Sequence, residues 1–256
     1  MRPMNQSLIR RLGLALTLSL AQLSVYSQAP DAVERVRAAD INRPDQPTPI
    51  AINNADGQGL FEASKEKGAF WRAYRFFEQQ ETQTFCGVAS SVIALNSLAI
   101  PGPVAIPALA NKKLFTQGSF FTPKTEAIRP VEKVRKTGYP LAQLGDTIRT
   151  HGVKVTTVHV VDGFSTKRMR QELCEAIRNE NALVIINYFR PYVGQQGGGH
   201  FSLIGAYEEK TDRFLIMDVN RINHPSVWIR AQHLYNALNT VDKEVKMNRG
   251  YLIVTK

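Results

Sequence analysis

The chain has 256 residues and a mass of 28.6 kDa, is 43% hydrophobic, and carries 32 basic and 22 acidic residues for a formal charge of +10. That length and apolar content suffice to bury one sizeable core, so a single folded domain is expected. The basic residues form no run that would mark a nucleic-acid surface, and two cysteines are too few for a metal–thiolate cage.

Residues 1–27 read as an export signal. Arg2, Arg10 and Arg11 give a positive start, and an apolar run extends from Leu12 to Leu23. Val25 and Ser27 then place a signal-peptidase cut after Ser27. The run is too short to span a bilayer and is interrupted by Thr17, Ser19 and Gln22, which favours a cleaved signal over an anchor. The Arg10-Arg11 pair hints at twin-arginine export, although Ile9 and Gly13 fit that motif poorly. The expectation is an exported protein, periplasmic in a Gram-negative cell, with no stable membrane insertion once the signal is removed. What remains has 29 basic and 22 acidic residues, a surplus compatible with an anionic small substrate. Residues 28–55, rich in Pro, Asp, Asn and Arg, read as a tether or extended arm.

A helical stretch is expected from about Gly59 to Tyr74. Within Gln80–Ile100, a polar extended run gives way at Cys86-Gly87 to a helix with Val88, Val92, Leu95 and Ala99 on one apolar face. The Cys86 thiol then sits at a helix N-terminus, where the dipole favours the thiolate. Taken alone, it reads more readily as a small buried hydrophobe, and the downstream residues must overturn that reading. Gln80, just upstream, has an amide that can donate to an oxyanion. Pro101, Pro103 and Pro107 force an irregular connection. A helix near Thr125–Lys136 ends at Gly138-Tyr139-Pro140, LAQLGDTIRTHG is helical with Gly152 as its cap, and VKVTTVHV alternates as a strand.

Ser165 caps a helix to Asn179 that turns Met169, Leu173 and Ile177 inward. Cys174 on this helix reads as core, although two cysteines in an exported chain also allow a Cys86–Cys174 disulfide. ALVIINYF is a buried strand. GGGHFSLIGAY and RFLIMDVN, joined by EEKTD, form a hairpin that brings His200 and Asp218 to the same end. An amphipathic helix is expected to begin at Trp228 and run through Tyr235 and Leu238, before a closing strand RGYLIVTK. Helices first and antiparallel strands last argue an α+β fold.

Gln80, Cys86, His200 and Asp218 supply the groups acyl transfer needs. A thiolate attacks a carbonyl, an imidazole takes and returns protons, and a carboxylate fixes the imidazole tautomer. Amide N–H groups hold the oxyanion. Singly, His200 reads as a core histidine, Asp218 as a turn former and Gln80 as a surface amide. Together, with three glycines clearing space before His200, they read as a site. The remaining histidines have no metal-ligand spacing, so no metal site is expected.

QTFCGVASSVIALNSLAI, LFTQGSFFT, VIINYFR, GGGHFSLIGAY and FLIMDVNRINHPSVW, with NTVDKE and RGYLIV behind them, resemble the phytochelatin synthases, most closely the short bacterial members. The resemblance covers roughly residues 50–256 and gives a catalytic domain at 56–256. It implies a papain-like fold, with helices in the N-terminal half and an antiparallel sheet in the C-terminal half. It also places the nucleophile, base and orienting carboxylate on Cys86, His200 and Asp218, and the oxyanion-hole amide on Gln80. Arg190 and Arg249 match arginines used around the bound acyl group. The implied activity is removal of glycine from glutathione through a γ-glutamylcysteinyl thioester on Cys86. It would yield γ-glutamylcysteine and, to a lesser degree, phytochelatins. No cofactor is required; cadmium or zinc would act through glutathione thiolates. The eukaryotic members' cysteine-rich C-terminal domain has no counterpart in this sequence. A bacteriocin-processing type peptidase and a non-catalytic metal–thiol binding protein are the alternatives.

Overall fold

In the computed structural model, which describes residues 31–43, 45–106 and 112–256, helix α1 (Ala32–Asn42) leads through strand β1 (Ile50–Ala51) to helices α2 (Ala55–Ala63) and α3 (Gly68–Tyr74). Helix α4 (Cys86–Ser97) precedes a small hairpin, β2 (Val104–Ile106) and β3 (Lys112–Leu114). Helices α5 (Pro123–Ile128), α6 (Val131–Thr137) and α7 (Leu141–Arg149) come next, then β4 (Lys154–His159), α8 (Thr166–Arg178) and β5 (Ala182–Phe189). After a 3-10 turn at Arg190–Val193, the chain continues as β6 (Gly199–Glu208), β7 (Arg213–Met217), β8 (Val227–Arg230) and helix α9 (Ala231–Leu238). A short ribbon, β9 (Val241–Asp242) and β10 (Met247–Asn248), precedes β11 (Gly250–Thr255). The expected signal, residues 1–27, lies outside the described residues. Among those described, no helix is long and apolar enough to cross a membrane.

The large sheet has the order β1-β8-β7-β6-β5-β11-β4, with every pairing antiparallel. With most helices in the first half and this sheet in the second, the architecture is the α+β layout read from the sequence. Val, Ile and Leu fill both faces of β5, β6 and β7, so these strands lie at the centre of the core.

Helix α4 is buried from Cys86 through Asn96, not along one face. A helix apolar all round belongs in an interior. Two of its hydroxyls bond within the helix, Ser91 Oγ to Gly87 O (2.7 Å) and Ser97 Oγ to Ile93 O (2.6 Å), whereas Ser90 Oγ is buried without a partner. The helix therefore presents Cys86 from a rigid mount, packed on β5 and β6.

Three sequence expectations are corrected. Residues 31–51 are not a tether: Val33 and Val36 of α1 pack with Leu60, Ala206, Leu215 and Trp228, and β1 pairs with β8. Arg213, fully buried, donates to Asp40 of α1 at 2.6 Å. Two apolar residues three apart suffice once the sheet supplies their partners, which composition cannot show. Trp228 starts no helix. It lies on β8 with its Nε1–H donating to Gly57 O at 3.0 Å, and the helix begins three residues later. The two long helical stretches also break, at Ser64–Lys67 and at Arg129-Pro130.

Candidate active site

Cys86 opens α4, His200 is the second residue of β6, and Asp218 follows the last residue of β7. The β6–β7 hairpin therefore returns Asp218 to His200, and His200 Nε2 lies 2.8 Å from Asp218 Oδ1. Nδ1 is the nitrogen left for Cys86, whose thiol is electrostatically coupled to the same imidazole. Cys86 is 8% exposed, His200 5% and Asp218 0%, so the three polarise one another in a largely dry site.

Burial alone would push the Cys86 thiol up. The His200 charge and bond, with backbone N–H groups of Phe201 and Gly87, outweigh it and bring the thiol below its ordinary value. Burial likewise presses His200 down, but Cys86 and Asp218 together raise it. Asp218, which burial would raise, is held well below the usual carboxylate range by His200 and Arg190. All three shifts favour a thiolate–imidazolium pair resting on an ionised carboxylate.

Asp218 is held by five donors. Oδ1 receives His200 Nε2, Arg190 Nη2 at 3.1 Å and the Asn220 backbone N–H at 2.9 Å. Oδ2 receives Arg190 Nη1 at 2.8 Å and the Tyr188 hydroxyl at 3.3 Å. A carboxylate offers about four lone-pair sites, so its acceptor capacity is fully used. Tyr188 stands opposite His200 in the β5–β6 register and meets the imidazole edge to face at 5.7 Å.

The geometry gives Arg190 a role that the sequence reading did not assign. Arg190 is 4% exposed, and its Nη1 and Nη2 are engaged by Asp218 and the Gln195 side-chain carbonyl, so it braces the triad carboxylate. Tyr188 and Asn220 went unassigned in the sequence reading. The signal for Tyr188 was its spacing of two from Arg190 in an extended run, which puts both on one side of the strand.

Arg249 is arranged differently. Its Nη1 donates to Thr240 Oγ1 and to the carbonyls of Thr240 and Val241, its guanidinium lies over the Phe189 ring, and its buried Nε has no partner. It lines a cleft of about 580 Å³ together with Phe189, Tyr192, Gly199 and Thr240–Lys243. The glycines before His200 make room for both arginines. Gly197 takes φ +120°, and a Cβ there would fall 2.9 Å from Arg190 Cδ. A Cβ on Gly199 would fall 2.7 Å from Arg249 Nη2. Side chains there would displace the two arginines.

Gln80 sits beside this centre but has its hands full. Its Nε2 donates to Thr82 O (2.7 Å) and Gln83 O (3.0 Å), while Oε1 is buried without a partner. Its backbone N–H donates to Val219 O at 2.9 Å, tying the segment before Cys86 to the residue after Asp218. Gln117 braces the same segment, accepting from Glu81 N and donating to Gln79 O, both at 2.9 Å.

Both cysteines are free thiols, so the Cys86–Cys174 disulfide does not form. Burial pushes Cys174 up to about 12, leaving it an inert core thiol beside the activated Cys86. Among the described residues, no three His, Cys, Asp or Glu side chains gather in a way that could hold a metal ion.

A helix-tip thiol and an imidazole between that thiol and a buried carboxylate are the groups that cysteine-dependent acyl transfer uses. The sequence profile of the family described as phytochelatin synthase matches residues 42–251. Glutathione gamma-glutamylcysteinyltransferase 1 of Lotus japonicus is 31% identical over 216 residues, 82% of this chain and 41% of that protein. The enzyme of the same name from Arabidopsis thaliana is 28% identical over 228 residues (85% and 44%). Glutathione gamma-glutamylcysteinyltransferase of Schizosaccharomyces pombe is 25% identical over 209 residues (80% and 48%). The chain belongs to the phytochelatin synthase family. It spans less than half the length of these curated relatives.

Proposed function

We propose that the protein removes glycine from glutathione by acyl transfer through Cys86. The observation that carries this reading is the Cys86–His200–Asp218 arrangement, a lowered thiol on a raised imidazole on an ionised carboxylate, in a chain of this family. The thiolate adds to the carbonyl of the Cys–Gly peptide bond. The His200 imidazolium gives its proton to the departing glycine amine, and γ-glutamylcysteine remains as a thioester on Sγ. His200 then takes a proton from the acceptor. Water as acceptor releases γ-glutamylcysteine; the amine of a second glutathione gives a phytochelatin.

A carboxylate of glutathione is assigned to Arg249, whose unpartnered Nε and cleft position suit it for a charge-assisted bond. Hydrolysis is proposed as the main outcome, because transfer needs the acceptor amine held in line with the acyl carbon and water does not. Cadmium or zinc would enter as thiolate complexes of the substrate. Export through residues 1–27 is part of the proposal, checked by an N-terminus at Gln28 in protein recovered from its own cell.

The test is incubation with glutathione, with glycine release followed and the protein mass analysed. A γ-glutamylcysteinyl adduct on the peptide carrying Cys86, and loss of glycine release in Cys86→Ala, are expected. An adduct on Cys174, or unchanged glycine release in Cys86→Ala, overturns the assignment. Product masses decide between γ-glutamylcysteine and longer peptides.

A further inference from the structure

At the far end of α4 from Cys86, about 18 Å away along a helix of this length, lies a second cleft of about 630 Å³. Its lining includes Trp71, Arg72 and Arg75 from α3 and its C-terminal cap, the last turn of α4, and Lys112 and Lys113 on β3, with no carboxylate among them. Elsewhere the arginines are largely neutralised: Arg35, Arg129, Arg149, Arg168, Arg170, Arg178, Arg190 and Arg213 all pair with carboxylates. Among the described residues, none of the four cations around this cleft forms an ion pair. Arg72 Nη2 donates to the carbonyls of Ile177, Asn179 and Ala182, while its buried Nε has no partner. Arg75, Lys112 and Lys113 are exposed, with Arg75 lying over the Phe76 ring. Trp71 lines the cleft and is 57% exposed; Tyr74, one turn on along α3 with its ring centroid 6.2 Å from that of Trp71, is 60% exposed and lines the neighbouring cleft with Phe77 and Arg221.

We propose that this face docks on an anionic lipid surface, with Trp71 and Tyr74 at the headgroup boundary and Arg75, Lys112 and Lys113 on lipid phosphates. The pattern of satisfied groups selects this occupant over an acidic peptide. The Asn96 amide is committed to Phe115 N and O, and Ser97 Oγ to Ile93 O. The lining thus offers charge and ring surface but few free side-chain groups to read a peptide backbone. Amphipathic rings beside flexible cations suit a membrane interface, where neither partner needs a fixed geometry. The site is separate from the thiol centre, so it stands or falls independently of the reaction proposed above.

The experiment is partition of the purified chain onto vesicles of phosphatidylcholine with and without phosphatidylglycerol, read by co-sedimentation and tryptophan emission. The chain has two tryptophans, and Trp228 is fully buried, so a blue shift reports on Trp71. Binding to the anionic vesicles alone is expected, with a blue shift and release by salt. Lys112→Ala/Lys113→Ala should weaken partition about thirty-fold, two charges at about 1 kcal/mol each, with thermal stability and glycine release unchanged. Trp71→Ala should abolish the blue shift. No partition, equal partition onto neutral vesicles, or full binding by the double lysine variant overturns the proposal. Binding to soluble poly-glutamate without vesicle binding also overturns it, in favour of an acidic peptide.

Discussion

Arg190 holds both oxygens of Asp218, at 2.8 and 3.1 Å, from a position 4% exposed, so the carboxylate that orients His200 is itself neutralised from behind. A forked guanidinium against a carboxylate fixes direction as well as charge. Arg190→Met should leave Asp218 buried and half-paired, at a cost of about 3–5 kcal/mol in stability. Arg190→Lys keeps the charge but loses the fork. It should fold, with turnover reduced about ten-fold or more and the Michaelis constant for glutathione little changed. Tyr188→Phe removes the 3.3 Å bond to Asp218 and the 3.5 Å bond with Ser202 Oγ, both long, and should cost about 1 kcal/mol. A rise in Michaelis constant as the main effect of Arg190→Lys would return Arg190 to the substrate.

Arg249 should show the opposite division. Its guanidinium lines the cleft and does not touch the triad carboxylate. Arg249→Met should raise the Michaelis constant for glutathione while barely altering turnover of a neutral thioester or ester analogue. Steady-state kinetics on both substrates check this. Equal losses on the two would mean that the arginine only braces Thr240 and Val241.

These two arginines mark where sequence reasoning succeeds and where it stops. Cys86 at a helix start and His200 with Asp218 at one end of a hairpin follow from local periodicity and a five-residue turn. The partner of Arg190 depends on the register of β5 against β6 and on where β7 ends, and no local pattern encodes that. Trp228 failed for a related reason: VWIR is followed at once by a helical pattern, and the strand is set by pairing with β7 and β1. The helix at Ala32–Asn42 was hidden by polar composition, since only Val33 and Val36 with Ala32 are buried in it. For α4 the error ran the other way, because serines look exposed until hydroxyls such as those of Ser91 and Ser97 are seen bonded within the helix.

The raised imidazole and lowered thiol set a pH window. Cys86 ionises below its ordinary value of about 8.5 and His200 above its ordinary value of about 6.5. The reactive pair therefore appears as pH climbs through the Cys86 titration and disappears as it climbs through the His200 titration, giving a bell. Asp218 has a depressed folded value, so its contribution to stability is present above about 3.9 and is lost only as pH falls through that lower value. The acidic limb is thus protonation of the thiolate in a folded protein. Because Asp218 helps raise His200, Asp218→Asn should move the alkaline limb to lower pH as well as reduce turnover. A pH–rate profile of the two proteins checks this, and an unmoved alkaline limb would detach Asp218 from the base.

The N-terminal helix is held to the sheet by a buried charge. Arg213 is fully buried, its Nη2 reaches Asp40 at 2.6 Å, and its Nη1 reaches Thr48 O at 3.2 Å. Asp40→Ala would strand the guanidinium and should lower stability by about 3–5 kcal/mol, measured by denaturant midpoint. Turnover per folded molecule should be unchanged, since neither residue approaches Cys86. A loss below about 1 kcal/mol would mean that Thr48 and water suffice for Arg213.

Gln80 carries two demands that can be separated. As an oxyanion donor it must aim an amide N–H at the tetrahedral intermediate, yet both hydrogens are engaged by Thr82 O and Gln83 O. Those bonds curl the loop that delivers the chain to Cys86, and the Val219 bond from its own N–H fixes that loop beside Asp218. Donation to an oxyanion therefore requires one of the two carbonyls to be released, and the negative charge that forms on the substrate is the stronger acceptor. Gln80→Ala should reduce turnover by about a hundred- to a thousand-fold through the lost donor. It should also lower stability by about 1–2 kcal/mol through the lost loop bonds. Gln80→Glu puts an oxygen against two carbonyls and a negative charge near the oxyanion, so it should lose at least as much on both counts. Turnover and denaturant midpoints of the two variants provide the measurement. Near-normal turnover in Gln80→Ala with lowered stability would leave Gln80 as a loop brace and assign the oxyanion to backbone N–H groups at the start of α4.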